Sequence, residues 1–98
     1  MKYEIVLINF PFDDFSNTKL RPAICLTNLI SRHAHVILAP ITSNINNATE
    51  PTDIVLNNDA VGFDKTGLKV SSVIKLHRLL TVSDKIIKKT IGSLPLSF

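Results

Sequence analysis

Short runs of apolar residues, rich in Ile, Val and Leu, alternate along the chain with segments of Asn, Asp, Pro and Gly. β-Branched residues favour strands, whereas the intervening residue types favour turns. The pattern therefore predicts a mainly β protein, and the apolar runs occupy residues 4–9, 22–30, 35–39, 53–56 and 70–80.

The second and third runs are separated only by residues 31–34, a spacing typical of a hairpin. Neither run alternates between polar and apolar residues, so we expect both faces of these strands to be covered. Longer polar loops are expected at 13–20 and 42–52, where turn-forming side chains accumulate.

The last element is predicted to be a short helix over residues 84–89. Ser83 is a favourable N-cap residue, and Asp84 would lie in the first turn, near the positive end of the helix dipole. Gly92 is expected to end this helix.

Length and composition indicate a single domain spanning residues 1–98, since 98 residues are too few for two cores. Hydrophobic residues make up 45% of the chain, which excludes a disordered protein. Cys25 is the single cysteine, no apolar run reaches about 20 residues, and we expect no secretory leader. We therefore expect a cytoplasmic protein with no membrane contact, and we expect neither a metal site nor a cofactor, because the usual ligand motifs are missing.

Positive charge is concentrated near the end of the chain. Residues 64–98 contain seven Lys or Arg and two Asp, a net charge of +5, within a chain whose total is +3. Such an excess fits either a solvated surface or a patch for nucleic acid. Charge alone does not decide between them.

Five motifs follow one another in a characteristic order. The most informative are KLRPA at 19–23, which opens the second run, and PITS at 40–43, which closes the third. They are followed by TGLK at 66–69, SVIKL at 72–76 and KIIKKTIGSL at 85–94. No single motif is specific, but together they resemble the PemK/MazF toxins of type II toxin–antitoxin systems over nearly the whole chain.

The resemblance implies a mainly β (α+β) fold, an SH3-like β-barrel with short helices that forms a homodimer. It also implies a metal-independent endoribonuclease toxin. Such a toxin cleaves single-stranded RNA, in particular mRNA, by attack of a ribose 2′-OH on the scissile phosphate, and a cognate antitoxin protein neutralises it.

Two residues match the family's catalytic groups, Arg21 and Thr42. An arginine offers a planar fork of donors for phosphate oxygens, and a threonine hydroxyl offers one more. Ser43 is expected to donate beside Thr42 to bound RNA. Without the resemblance, an exposed arginine at a strand end would be the preferred interpretation of Arg21, and Thr42 would fit an ordinary β-branched strand residue or a cap of the asparagine-rich loop.

Further contacts with RNA are expected from the loop at 13–20, which corresponds to a mobile loop of the family. Lys19 is the residue expected to meet phosphate, and Asn17 is included with it. Phe12 is a candidate for stacking on an unpaired base, although a phenylalanine beside a proline also fits the core.

The chain departs from the family pattern at two places. Tyr3 and Glu4 stand where family members usually have Gly-Asp, and Lys75 and His77 stand where an Arg-x-Asp pattern is common. Lys75 keeps a charge for RNA binding but loses the guanidinium fork.

Histidine side chains commonly act as acid or base in catalysis, which makes His77 a third catalytic candidate, although a structural role fits it too. These departures motivate an alternative function, a toxin-fold protein that binds RNA without cleaving it or binds a protein target such as a topoisomerase. A plain interaction module is the third hypothesis.

Overall fold

A computed structural model of the chain describes residues 1–9 and 20–95. Within these residues the fold is mainly β, as predicted. The strands are β1 (Glu4–Ile8), β2 (Arg21–Cys25), β3 (His35–Thr42), β4 (Ile54–Leu56), β5 (Ser72–Ile74), β6 (Leu80–Ser83) and β7 (Ile87–Ser93). Short 3₁₀ helices cover Ile45–Asn47, Phe63–Thr66, Leu76–Arg78 and Asp84–Ile86. None of the helices in the described ranges is long and apolar enough to cross a membrane.

The strands form one antiparallel sheet in the order β4-β5-β3-β2-β1-β7, and β6 pairs with β3 beside β5. This path ends at β4 on one side and at β7 on the other. Within the described residues the sheet is therefore not closed into a barrel. The mainly β class is confirmed, but the SH3-like barrel that the resemblance implied is not.

The expected hairpin between the second and third runs is confirmed. β2 pairs antiparallel with β3, and the turn closes with an isolated bridge between Ile30 and His35. The amide of Ala34 donates to the carbonyl of Ser31. β2 itself ends at Cys25, so the strand predicted over 22–30 extends too far at its C-terminal end.

Two apolar clusters cover the two faces of the central strands, as the lack of alternation predicted. Ile5 and Ile24 belong to one cluster, whereas Val6, Ala23 and Cys25 belong to the other. Successive residues of a strand point to opposite faces, so each strand contributes to both clusters. Burial of Cys25, with a smaller effect from the charge of Glu4, raises the pKa of its thiol.

The single long strand predicted over 70–80 is wrong in its middle. β5 and β6 both pair with the same edge of β3, but the register shifts by three residues between the Ile41–Ile74 pair and the Leu38–Leu80 pair. The extra residues form the 3₁₀ helix Leu76–Arg78, closed by a bond from the Arg78 amide to the Lys75 carbonyl. Lys75 and His77 therefore do not share one strand face.

The helix predicted over 84–89 is also wrong beyond its first turn. The Ser83 hydroxyl accepts from the Lys85 amide as an N-cap should, but after Ile86 the chain continues as β7. Pairing with the free edge of β1 satisfies backbone groups that a helix would leave open. This tertiary pairing overrides a weak helix preference, which the β-branched residues of the segment reduce further.

Gly92 lies within β7 and does not end a helix. A Cβ at this position would be 2.3 Å from both the backbone carbon and oxygen of Thr66. The residue therefore allows β7 to approach the 3₁₀ helix Phe63–Thr66 at backbone distance.

Candidate functional site: a pocket at the ends of β2 and β3

Arg21 and Thr42 occupy the same end of the central strand pair. β2 begins at Arg21, β3 ends at Thr42, and the ladder between them pairs Ala23 with Pro40. Continuing this register by two residues places Arg21 opposite Thr42. Residues opposite one another in an antiparallel pair share a face, so the two predicted residues are neighbours across the strands.

A pocket of about 190 Å³ lies at this end of the sheet. Its lining residues are Leu20, Arg21, Pro22, Ile41, Thr42, Ser43, Leu68, Lys69, Val70 and Ser72. Three residues that the sequence predicted for the site, Arg21, Thr42 and Ser43, are thus brought together. The guanidinium of Arg21 and the hydroxyl groups of Thr42 and Ser43 provide several donors suited to a phosphate group.

The position of the Thr42 hydroxyl is fixed by the start of the following loop. Its Oγ1 accepts from the Asn44 amide at 3.2 Å, and the Asn44 side chain in turn accepts from the Asn46 amide at 3.1 Å. The first bond uses a lone pair of the threonine oxygen and leaves its O–H proton available. Thr42 can therefore donate to an anion in the pocket.

Lys69 is a member of the pocket that our sequence interpretation did not single out. The segment that carries it is held in place by Gly67, whose φ of 74° lies in the left-handed region. A Cβ on Gly67 would meet the carbonyl oxygen of Ile91 at 2.1 Å, so only glycine allows this approach to β7. The signal that could have identified Lys69 in the sequence is the position of this lysine within the TGLK motif, in the basic part of the chain.

Lys75 is bound inside the protein. Its Nζ donates to the Asn47 carbonyl at 2.6 Å and to Asp53 Oδ2 at 2.7 Å. The same carboxylate oxygen accepts from the amides of Thr49 and Glu50, each at 3.0 Å. The hydrogen bond from Lys75 is the main cause that lowers the pKa of Asp53, and the backbone bonds add to it.

This arrangement gives Lys75 a structural task. The side chains of Lys75 and Asp53 are only 11% and 2% exposed, and they connect the end of β5 to the loop over residues 43–53. Among the described residues, the pocket that contains Arg21 is lined without Lys75. No sequence signal predicted that Asp53 would be its partner.

His77 belongs to the same cluster. It lies in the 3₁₀ helix Leu76–Arg78, its side chain is 41% exposed, and its Nδ1 is 3.7 Å from Asp53 Oδ1. That buried oxygen has no hydrogen-bond partner among the described residues. The structure therefore places His77 beside a carboxylate and outside the lining of the Arg21 pocket, as far as residues 1–9 and 20–95 define it.

The remaining predicted contacts, Lys19, Asn17 and Phe12, lie outside the described residues and stay predictions. In the part of the chain that the structure covers, no group of three or more His, Cys, Asp or Glu side chains is arranged to hold a metal ion.

The fold and the site define a small antiparallel β protein with a donor-rich pocket, suited to an anion, where two central strands end. A family model described as PemK-like, MazF-like toxin of type II toxin–antitoxin system matches residues 1–97. The chain therefore belongs to this toxin family, which confirms the resemblance noted in the sequence, and membership implies a cognate antitoxin. A search of curated proteins returned no match to the chain.

Proposed function

We propose that this toxin is a metal-independent endoribonuclease that cleaves single-stranded RNA. The observation that carries the proposal is the convergence of Arg21 and Thr42, from two different strands, on one pocket. Family membership supports the same activity, because toxins of this family are generally ribonucleases.

The proposed reaction needs no nucleophile from the protein. The ribose 2′-oxygen forms a bond to the adjacent phosphorus while the bond to the 5′-oxygen of the next nucleotide breaks. The products are a 2′,3′-cyclic phosphate and a 5′-hydroxyl end. The proton of the 2′-OH passes to water, and the leaving oxygen takes a proton from water.

The protein's contribution is to bind the phosphate and stabilise the charge that develops on its oxygens. Arg21 donates two hydrogen bonds from its guanidinium, and Thr42 donates a third from the proton that its bond with Asn44 leaves available. Ser43 is placed to donate beside Thr42, and Lys69 adds positive charge at the same pocket.

We assign Lys75 and His77 to the support of this site and not to direct contact with the phosphate. Lys75 holds the 43–53 loop through Asp53, and His77 lies against the same carboxylate. His77→Gln should therefore leave the shape of the pH–rate profile unchanged. If an ionisation near neutrality disappeared from the pH–rate profile of this variant, the result would show that His77 acts as the acid or base.

The other parts of the proposal concern partners. Single-stranded RNA, in particular mRNA, is the substrate in the cytoplasm, the cognate antitoxin blocks its binding, and the active form is a homodimer. Lys19, Asn17 and Phe12 complete the contacts with RNA.

The decisive experiment is incubation of the purified protein with a defined single-stranded RNA in EDTA, followed by analysis of the fragment ends. We expect 2′,3′-cyclic phosphate ends, and a single-turnover rate that falls about 10²–10³-fold in Arg21→Ala, as for loss of other donors to a developing anion. Arg32→Ala, which removes an exposed arginine in the hairpin turn, is the matched control.

Circular dichroism establishes that the variants are folded. Equal cleavage by the wild type and Arg21→Ala would refute the proposed site. RNA that is bound but recovered intact would instead support the alternative, a toxin-fold protein that acts by binding.

A further inference from the structure

A second depression, of about 560 Å³, lies next to the Arg21 pocket. It is lined by Leu7, Pro22, Gly67, Leu68, Lys69, Lys89, Thr90 and Ile91. Pro22, Leu68 and Lys69 line both depressions. The two therefore adjoin one another, and we call the second one the lysine groove.

The floor of the lysine groove follows the register of the sheet. Leu7 on β1 pairs with Pro22 on β2 on one side and with Lys89 on β7 on the other. These residues form a row across three adjacent strands. Since neighbouring strands are about 4.8 Å apart, the backbone of Lys89 lies about 10 Å from that of Pro22.

One rim of the lysine groove is fixed by the close approach of Gly67 to Ile91. This contact holds the segment with Leu68 and Lys69 against β7. The groove consequently has an apolar floor and two exposed lysines, one on each side. Its described lining contains no acidic residue.

This combination matches the chemistry of a single-stranded polynucleotide. Flexible bases and riboses pack on apolar surface, while lysines neutralise the phosphates of the backbone. A strand whose scissile phosphate is held by Arg21 must leave that pocket in some direction. The shared wall of Pro22, Leu68 and Lys69 leads from the pocket directly into the groove.

We propose that the lysine groove is an extended RNA subsite that binds the nucleotide next to the scissile phosphate, with Lys69 and Lys89 contacting the flanking backbone phosphates. The inference rests on the proposed function and goes further, because it assigns a path to the RNA beyond the Arg21 pocket. An acidic peptide would also satisfy the two lysines. The wall shared with the Arg21 pocket favours RNA, because that pocket is proposed to bind a phosphate group and an acidic peptide carries none.

The test measures binding of a 2′-O-methyl RNA oligonucleotide of mixed sequence, in which the attacking hydroxyl is blocked, by fluorescence anisotropy over a series of salt concentrations. Each lost phosphate contact should reduce the slope of log K against log salt by about 0.7 for a single strand. We expect this reduction for Lys89→Gln, and about twice as much when Lys69→Gln is combined with it. Lys88→Gln, which changes the neighbouring exposed lysine of β7, is the matched control and should alter the slope less.

The outcomes separate this inference from the proposed function. If the wild type binds and cleaves RNA but Lys89→Gln and Lys88→Gln have equal slopes, the groove is not an RNA subsite and the Arg21 site stands. If Lys89→Gln weakens binding of a glutamate-rich peptide but not of RNA, the groove is a peptide site and the inference is wrong. If the wild type neither binds nor cleaves RNA, the proposed function fails and the subsite with it.

Discussion

The ammonium group of Lys75 and the carboxylate of Asp53 meet at 2.7 Å, almost completely shielded from solvent. One residue follows β5 and the other ends the loop that begins after Thr42, so their ion pair closes this loop against the sheet. Asp53 Oδ2 also accepts from two backbone amides of the loop, those of Thr49 and Glu50. The wall of the Arg21 pocket that contains Ser43 therefore depends on a contact far from it in sequence.

The first prediction concerns the pH dependence of this ion pair. The folded-state pKa of Asp53 is below its ordinary value of 3.8, so the folded state favours the charged carboxylate. Its stabilising effect is complete above pH 3.8 and is lost as the pH falls through the lower folded-state pKa. Asp53→Asn should therefore have a lower urea midpoint than the wild type at pH 7, and the difference should shrink with increasing acidity.

Urea unfolding followed by circular dichroism at several pH values measures this difference. Asp59→Asn changes an exposed aspartate in a turn and should match the wild type at every pH. A difference between Asp53→Asn and the wild type that is constant down to pH 2 would show that the charge of Asp53 is not involved.

The second prediction separates the two parts of the Thr42 side chain. Thr42→Val keeps the β-branched shape but removes the hydroxyl, so the cleavage rate should fall about 10²-fold, as expected for a lost donor to a developing anion. Thr42→Ser retains the hydroxyl and should stay within about tenfold of the wild type. Single-turnover cleavage of the same RNA measures both, and equal rates for the two variants would exclude a role for the hydroxyl.

The third prediction tests the backbone contact at Gly92. A methyl group there would lie 2.3 Å from the backbone of Thr66, and a backbone atom cannot yield as a flexible side chain can. Gly92→Ala should lower the free energy of unfolding by about 3 kcal/mol. Ser93→Ala, at the exposed next position of β7, should change it by less than about 0.5 kcal/mol, and thermal unfolding distinguishes the two.

The fourth prediction concerns Tyr3, which stands where the family usually has glycine. Tyr3 has a φ of 69°, in the left-handed region, and its carbonyl accepts from the Leu94 amide at 2.8 Å. The backbone at Tyr3 therefore adopts a conformation that favours glycine. Tyr3→Gly should leave the free energy of unfolding within about 1 kcal/mol of the wild type, because relief of strain offsets the added entropy of the unfolded chain.

Tyr3→Val is the contrasting variant. A β-branched residue is strongly disfavoured at positive φ, so it should destabilise the fold by about 1–2 kcal/mol relative to Tyr3. Urea unfolding of the three proteins measures the order, and a Val variant as stable as the Gly variant would indicate that the backbone relaxes to a different conformation.

The sequence predicted the elements whose signals are local. The apolar runs of β1 and β3 and the hairpin turn near Ala34 follow from residue types that favour strands and turns. It missed the 3₁₀ helix Leu76–Arg78, because nothing local distinguishes a strand that continues from one that inserts a turn and then pairs with the same neighbour. The prediction of a helix over 84–89 was correct about the cap at Ser83. The helix does not continue, because the following residues pair with the open edge of β1.

The candidate site divides in the same way. Arg21 and Thr42 were identified by motifs, and the physical chemistry of a guanidinium and a hydroxyl explains why such residues suit a phosphate. The sequence could not show that these two residues are neighbours across β2 and β3, or that Lys69 lines the same pocket. Both facts depend on the register of the sheet. Asp53 could likewise be recognised as the partner of Lys75 only from the tertiary structure, because Asp53 lies in the connection between β3 and β4 whereas Lys75 follows β5.

By itself the sequence determined the β class of this protein, its toxin family and the two side chains at the centre of its proposed chemistry. These properties depend on residue types and on the order of motifs, both of which are visible in the sequence without knowledge of contacts. Only the tertiary structure decided that the described sheet is open, that Lys75 is held by Asp53 and that a groove lined by Lys89 adjoins the Arg21 pocket. Each of these depends on which strand edges and buried groups find partners, and such pairing between distant segments leaves no trace in local sequence.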